Sequence, residues 1–520
     1  MPKDTTTVLS VDLLPGEHWW GGAVADGQLM PFGSSTSHRR NLATNAGHAD
    51  HPTAGANQSA PLLVSTEGRV IWSEKPFTLA IGDGCVSAET EQPEAPELRR
   101  AADRTLRGAY RLASAEYFPP SGDAPAREMF TGPQYSTWIE LPYTPTQAGV
   151  LSYAKALLSA GFPPGVLMID DRWSVDYGDW RFDAGLFPDP AAMVDELHSL
   201  GFSVMLWLVP FVSPDSPPFR DLRARGLLLE DSAGSVIVRE WWNGFSALLD
   251  TTNPAAMAWL GHRLAELQDS FGVDGFKFDA GDLRDYRPDD KPAAGSGPVD
   301  LCEAYARFGS GYPFNEFRAC WKMGGTALAQ RLHDKPPTWD DAGLLSLVPE
   351  GIAQGLMGHA FTCADMVGGG ELSAFAPGTP VDQEQFVRYA QCAALFPMLQ
   401  FSIAPARVLD EEHLAAVLGA VALRQEFLPL ILDLVDHAAR TGEPIIRALE
   451  YHFPGYSGVT DQFLLGDSVL VAPILEQGAT SKRVVLPPGD WAATDGTVYP
   501  RGTHDLPAGL ASFPVFRLVR

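Results

Sequence analysis

A chain of 520 residues is too long for one ordinary domain; at roughly 150 residues per domain it holds three or four units, or one large barrel with attachments. Hydrophobic residues make up 45% and charged residues 20%, which excludes wholesale disorder. The net charge of −26 repels phosphate backbones and anionic lipid, so nucleic acid and membranes are excluded as expected partners and a small, neutral, polar substrate is favoured.

The first residues, MPKDTTTVLSVDLLPGEHWWGG, lack the apolar core of a signal peptide, and no run of 18 uncharged apolar residues follows anywhere. The expected compartment is the cytoplasm. Residues 34–60 are rich in Ser, Thr, Ala and Asn without a period and read as a long loop. LLVSTEGRVIWS (62–73) and FTLAIGDGCVSAE (77–89) read as short strands separated by turns. Residues 1–125 are therefore expected to form an N-terminal β-sandwich.

From 126 to 410 the texture becomes β-α-β. GVLMIDDRW (165–173) is a strand with carboxylates at its end. PAAMVDELHSLG (190–201) follows with helical spacing and a Gly stop, then the nearly all-apolar FSVMLWLVPFV (202–212). PAAMAWLGHRLAELQDSFG (254–272) is a helix leading into VDGFKFDAGD (273–282). Further strands are read at 327–334, 359–370 and 396–405. This repetition implies a parallel sheet, and its span closes naturally as a (β/α)8 TIM barrel, an α/β fold. A helical stretch, 411–445, ends the barrel region. Residues 446–520 read as a small C-terminal all-β domain of one or two sandwiches.

Several barrel strands end in Asp: Asp170 and Asp171, Asp279, Asp334 and Asp365. The C-terminal strand ends of a barrel converge on one face, where catalysis sits. Carboxylates gathered there raise one another's proton affinity and can divide the roles of acid and nucleophile, which is what glycosidic bond cleavage requires. Each Asp taken singly is as well read as a helix cap or turn former; shared by four strand ends, the feature favours chemistry. Trp138, Trp173, Trp207, Trp241, Trp242 and Trp321 also fall near strand ends or loops, where an aromatic face suits a sugar ring and equally suits a core.

These segments resemble glycoside hydrolase family 31 across nearly the whole chain. VDGFKFDAGD is similar to that family's nucleophile strand, which implies Asp279 as nucleophile and places Lys277 beside it. IDDRW…FPDPAAMVDELHSLGFSVMLWLVPFV (169–212), CADMVGGGE (363–371), EHWWGGAVADGQLMPF (17–32) and the C-terminal FLLGDSVLVAPILEQGATSKRVVLPPGDW (463–491) resemble other segments of the family. The family carries a Gly-Asp-Asn-type loop five residues before a Trp. Counting back from Trp339 implies Asp334 as acid/base, with His333 and Lys335 in place of the flanking Gly and Asn, and Asp340 and Asp341 as neighbouring alternatives. The resemblance implies a retaining α-glycosidase acting on a small carbohydrate without metal or organic cofactor, its carboxyl groups about 5–5.5 Å apart and the acid's pKa raised. Asp171 and Asp365 are expected to bind sugar hydroxyls, Arg331 to supply a cation, and Trp173, Trp207, Trp242 and Trp321 to serve as platforms.

The family's last barrel strand commonly ends in Arg-Asn-His. Here Gln400, Phe401 and Ser402 stand there, with Ser402 the expected polar contact, and the segment is more similar to a branch that includes animal α-galactosidases. An α-galactoside is therefore the favoured substrate, with α-glucoside, sulfoquinovoside and transglycosylation as alternatives. A sulfonate needs cationic donors, for which Arg172, Lys322 and Arg331 are candidates. A carbohydrate-binding protein on an inactive barrel is the alternative outside enzymes.

The remaining fragments read blandly. His48 and His51 lack a third metal ligand. No phosphate-loop motif occurs. DLRDYRPDDK (282–291) reads as a solvated loop. Five scattered cysteines without a CxxC pair imply neither a disulfide framework nor a Cys-rich zinc site. A homo-oligomer is compatible with the sequence, and nothing in it demands one.

Overall fold

The computed structural model describes residues 7–43, 57–91, 94–295, 297–372 and 379–519. Its centre is a closed barrel of eight parallel strands. In barrel order these are Gln134–Ser136, Val166–Ile169, Ser203–Leu208, Gly275–Phe278, Phe314–Phe317, Gln330–Arg331, Thr362–Met366 and Met398–Phe401, the last pairing with the first. The TIM barrel anticipated from the β-α repetition is the observed architecture, with β-sheets on both sides of it in sequence. The fifth strand precedes the expected strand 327–334, and the sixth lies within it. Only Gln330–Arg331 of that stretch is strand, so Asp334 lies three residues beyond the strand end.

The N-terminal region forms two sheets. One orders Thr7–Asp12, Cys85–Thr90, Thr78–Gly82 and His38–Asn41. Its central hairpin turns through Asp83 and Gly84, both at positive φ, as a two-residue hairpin loop requires. The second sheet centres on Gln58–Ser65, which pairs with Trp19–Ala23 and Arg69–Trp72. Gln58–Ser65 also pairs in parallel with Cys320–Trp321, a segment of the barrel region that follows the fifth strand.

The expected loop 34–60 is a correction in part. His38–Asn41 is a strand whose inward side chains are His38 and Arg40, both bonded to buried Asp26. Polar inward positions hide the alternation that marks a strand. Residues 44–56, with His48 and His51, lie outside the described residues.

The helix Glu411–Thr441 is capped by Asp410, which accepts from the His413 N–H, and stopped by Gly442 in the left-handed conformation. It is long and apolar enough to cross a membrane by length and composition. Here it lies against the helix Gln383–Ala394, and its Arg424, fully buried, donates to the carbonyls of Phe130, Ala394, Phe396 and Pro397. Beyond it, six strands make one hydrogen-bonded sheet with its own small core, including Leu464, Trp491 and Phe516. The expected one or two sandwiches are thus a single continuous sheet, because the 13-residue strand Ser481–Ala493 shifts register between Leu486 and Asp490 and pairs on both sides.

The N-terminal sheets and the barrel share one hydrophobic core. At their junction a 3-10 turn, Val24–Leu29, lies on the helix Leu347–Leu356. A Cβ on Gly27 would come 2.7 Å from the Glu350 Cα, closer than real contacts allow. Gly27→Ala is therefore expected to cost about 1–3 kcal/mol through overpacking, read as a lower urea midpoint; an unchanged midpoint would show that this junction is loose.

Candidate active site

The C-terminal ends of the barrel strands enclose a cavity of about 360 Å³. Its floor is made of buried barrel residues, among them Asp170, Lys277 and Arg331, and its rim carries Trp242 and Tyr143, exposed by 40% and 38%. Two hairpins shape it. Ser174–Asp176 and Asp179–Phe182 turn through Tyr177 and Gly178, so that the Tyr177 hydroxyl donates to Asp171 Oδ1 at 3.0 Å. Val238–Trp241 and Gly244–Leu248 turn through Trp242 and Asn243, placing the indole at the rim and the Asn243 amide 2.6 Å from Asp171 Oδ2.

Asp279 follows the fourth strand directly. Trp207 Nε1 donates to its Oδ2 at 2.8 Å, Arg318 Nε donates to its Oδ1 at 2.5 Å, and the Ala280 N–H donates to Oδ1 at 2.8 Å. Burial alone would raise its pKa, but the charges of Arg318 and Lys277 and the bonds from Trp207 and Arg318 outweigh it and hold the carboxyl well below the usual range. Ala280 sits at φ 53°, a strained value that turns the chain directly after Asp279.

Asp334 reaches the same cavity from beyond the sixth strand, its side chain 34% exposed. Arg331 Nη1 donates to its Oδ1 at 2.9 Å and also to Asp365. Burial pushes the pKa of Asp334 up, Arg331 and Arg318 pull it down, and the pull prevails. The raised carboxyl of this pair is Asp365, pushed up to about 7 by burial, with Arg331 opposing. The raised acid expected at Asp334 is corrected accordingly: the charges of Arg331 and Arg318 outweigh its burial and keep it ionised. Its neighbours fix the loop. Lys335 is fully buried, donates from Nζ to Glu350 at 2.5 Å, and its backbone N–H donates to Asp365 Oδ2 at 2.8 Å. Burial first, then the charge of Lys335, hold His333 neutral.

Charges alternate across the barrel interior. Lys277 Nζ lies 2.8 Å from Asp170 and 4.0 Å from Glu316. Arg331 Nε lies 3.3 Å from Glu316, and Gln400 Nε2 donates to Glu316 at 2.5 Å. Asp171 stands apart from these pairs, and burial, then the neighbouring Asp170, push it up to about 6.

The structure gathers Asp171, Trp207, Trp242, Lys277, Asp279, Arg331 and Asp334 around one cavity. Four expected contacts lie elsewhere. Trp173 is fully buried, donates to the Trp207 carbonyl and stacks with Trp180. Trp321 is buried in the strand paired with the N-terminal sheet. Ser402 is buried and accepts from the Ile139 N–H at 2.9 Å, tying the last strand to the first strand's loop. Asp365 is sealed beneath the cavity, where it accepts from Arg331, Lys335 and Gly370 and holds the Asp334 loop in place of a sugar. The expected sulfonate cations are engaged as well: Arg172 lies over Tyr177, Lys322 pairs with Glu74 at 2.9 Å, and Arg331 bridges three carboxylates.

Residues missed from the sequence include Arg318, Tyr177, Asn243 and Arg284. Arg318 could have been found, since it directly follows FNEF (314–317) as Asp279 follows its strand. The expected solvated loop 282–291 is also corrected: Asp282, Asp285 and Asp290 are buried, the last paired with Arg239 at 2.6 Å. Asp340 accepts from the Ala342 and Gly343 N–H groups and serves the turn ahead of the next helix. Among the described residues no group of three His, Cys, Asp or Glu is placed to hold a metal ion.

An eight-stranded parallel barrel with ionised and hydrogen-bonded carboxylates at its C-terminal face has the architecture of a glycoside-hydrolase barrel. Residues 128–434 match the model of the glycosyl hydrolases family 31 TIM-barrel domain, and residues 442–517 match that of the glycosyl hydrolase family 31 C-terminal domain. The chain belongs to glycosyl hydrolase family 31. It is 33% identical over 442 residues to the mouse (Mus musculus) myogenesis-regulating glycosidase, covering 81% of this chain and 60% of that one. It is 28% identical over 383 residues to an isomaltosyltransferase of Sporosarcina globispora, covering 65% of this chain and 34% of that one. The fold superposes on a family 31 dextranase of Flavobacterium johnsoniae with a TM-score of 0.86 at 19% identity, over 100% of this chain and 67% of that one.

The raised pKa of Asp365 has a consequence for stability. A carboxyl at about 7 in the folded state and 3.8 unfolded binds protons more tightly when folded, so its ionisation removes stability as pH rises through that window. Asp365→Asn lacks this loss. Its melting temperature relative to the parent is expected to rise between pH 4 and pH 8; a constant difference would mean that Asp365 is ionised throughout.

Proposed function

We propose that the chain is a retaining, exo-acting α-glycosidase that removes a terminal α-linked hexose from a small glycoside, with an α-galactoside as the favoured substrate. The observation that carries this reading is that Asp279 and Asp334 face one cavity in different electrostatic settings. Asp279 is ionised and held from three sides, as a nucleophile requires. Asp334 is open to the cavity on one side, so a sugar that displaces water there raises its proton affinity and favours the acid form.

In the first step an Asp279 oxygen bonds to the anomeric carbon as the glycosidic C–O bond breaks. The bond's electrons go to the leaving oxygen, which takes the Asp334 proton. In the second, water attacks the anomeric carbon, gives a proton to Asp334 and releases Asp279. Asp171, gripped by Tyr177 and Asn243, is a sugar-hydroxyl acceptor at the cavity wall. The buried floor favours a chain end over an internal unit. The galactoside preference rests on the resemblance of the Gln400-Phe401-Ser402 segment to a branch that includes α-galactosidases; these side chains themselves lie in the barrel and the core, away from the cavity lining. Transfer to a second sugar is the other reading, favoured by Trp242 and Tyr143 exposed at the rim as an acceptor platform.

Hydrolysis of para-nitrophenyl α-galactoside, α-glucoside, α-xyloside and α-sulfoquinovoside tests the proposal. Turnover of the α-galactoside with release of the α-anomer is expected; inactivity on all four, or a β-anomer product, overturns it. Asp279→Ala and Asp334→Ala should each lose about a thousandfold or more in kcat, with azide restoring Asp279→Ala; near-parental rates in either remove that residue from the mechanism. Product analysis at high substrate concentration separates transfer from hydrolysis.

A further inference from the structure

Four cations line the cavity: Lys277, Arg284, Arg318 and Arg331. Three are neutralised at hydrogen-bonding distance, Lys277 by Asp170 at 2.8 Å, Arg318 by Asp279 at 2.5 Å and Arg331 by Asp334 at 2.9 Å. Arg284 differs. Among the described residues its nearest carboxylate is Asp285, with Nε to Oδ1 at 3.9 Å, beyond a hydrogen bond.

The cause is local. Leu283–Asp285 is one turn of 3-10 helix in which Asp285 folds back to accept the Asp282 N–H at 3.0 Å, so its carboxylate faces inward and Arg284 faces the cavity. The Arg284 guanidinium lies over the Trp242 ring at 5.5 Å, and its side chain is 39% exposed. Trp242 also carries Arg318 at 5.2 Å, whose charge Asp279 already balances. Glu371 also lines the cavity and is exposed.

We infer that Arg284, seated on Trp242, is a specificity-determining residue at the cavity mouth that selects a leaving group bearing a carboxylate. The sugar at Asp279 occupies the buried floor, so its aglycone points out past Trp242 and Arg284. A planar guanidinium pairs with a planar carboxylate through two hydrogen bonds, and the indole beneath it holds the guanidinium at the mouth. A neutral aglycone leaves the Arg284 charge with the Trp242 ring and the Asp285 carboxylate at 3.9 Å, and without a hydrogen-bonded carboxylate. Selection at the mouth is separate from recognition at the floor and deepens the α-glycosidase reading, on which it rests.

The test uses the intact protein and S-linked substrate analogues, whose sulfur is a poor proton acceptor. Binding of 4-carboxyphenyl and phenyl α-thiogalactosides, and of the matching α-thioglucosides, is measured by calorimetry. The carboxylated member of the pair that binds is expected to be favoured by about tenfold. That advantage disappears in Arg284→Gln, is reduced in Arg284→Lys, which keeps the charge and loses the paired hydrogen bonds, and shrinks with added salt. Equal binding of the pair, or an advantage that survives in Arg284→Gln, overturns the role of Arg284 and leaves the glycosidase reading intact. Absence of binding by all four compounds overturns this inference, and the glycosidase reading is then decided by the hydrolysis panel alone.

Discussion

Everything in the cavity depends on charges held inside the barrel away from water. Asp170, Lys277, Glu316, Arg331 and Asp365 come from or directly follow the second, fourth, fifth, sixth and seventh strands and alternate in sign. Isolated, each would carry a desolvation cost of several kcal/mol; linked, each neutralises its neighbour. The arrangement is stringent, since deleting one member strands a buried charge and costs about 3–5 kcal/mol. In return the interior is rigid and polar where most such barrels are filled with branched apolar side chains. Asp279 and Asp334 sit at the open end of this ladder, and their ionisation is set by Arg318, Lys277 and Arg331 beneath and beside them.

The same ladder explains what could and could not be seen in the sequence. Strands buried on both faces, such as Ser203–Leu208, announce themselves as apolar runs. Phe314–Phe317 does not, because Asn315 and Glu316 interrupt it, and both are spent on interior bonds. With that strand unread, the strand-end rule that singles out Asp279 does not reach Arg318. Gln134–Ser136 has three residues and no pattern to detect. The carboxylates at strand ends were legible because position and residue type coincide. The aromatic residues were not, since Trp173 and Trp207 share a neighbourhood yet only Trp207 turns its ring to the cavity. Tyr177, Trp242 and Asn243 arrive on hairpin turns inserted between strands and helices, whose approach to the barrel mouth is a matter of three-dimensional path.

The Asp334 loop is anchored through its neighbours. Lys335 Nζ donates to Glu350 on the following helix, and the His333 ring lies 3.7 Å from the same carboxylate. Asp365 completes the clamp from the seventh strand by accepting the Lys335 N–H. The loop's position is thus defined by buried ion pairs and a backbone bond, and its exposed carboxylate is carried by a stationary support.

The parallel pairing of Cys320–Trp321 with Gln58–Ser59 bears on how this protein can be divided. Gln58 Nε2 donates to the carbonyls of Arg318 and Arg331, so the N-terminal sheet satisfies backbone groups directly beside the residues that balance Asp279 and Asp334. A cut between the N-terminal sheets and the barrel would therefore pass through the electrostatic frame of the site, although the family-model match begins at residue 128. For recombination and domain exchange, the heritable unit is the barrel together with its N-terminal sheet. A donor barrel grafted onto a foreign N-terminal region inherits the carboxylates while losing part of what aims them.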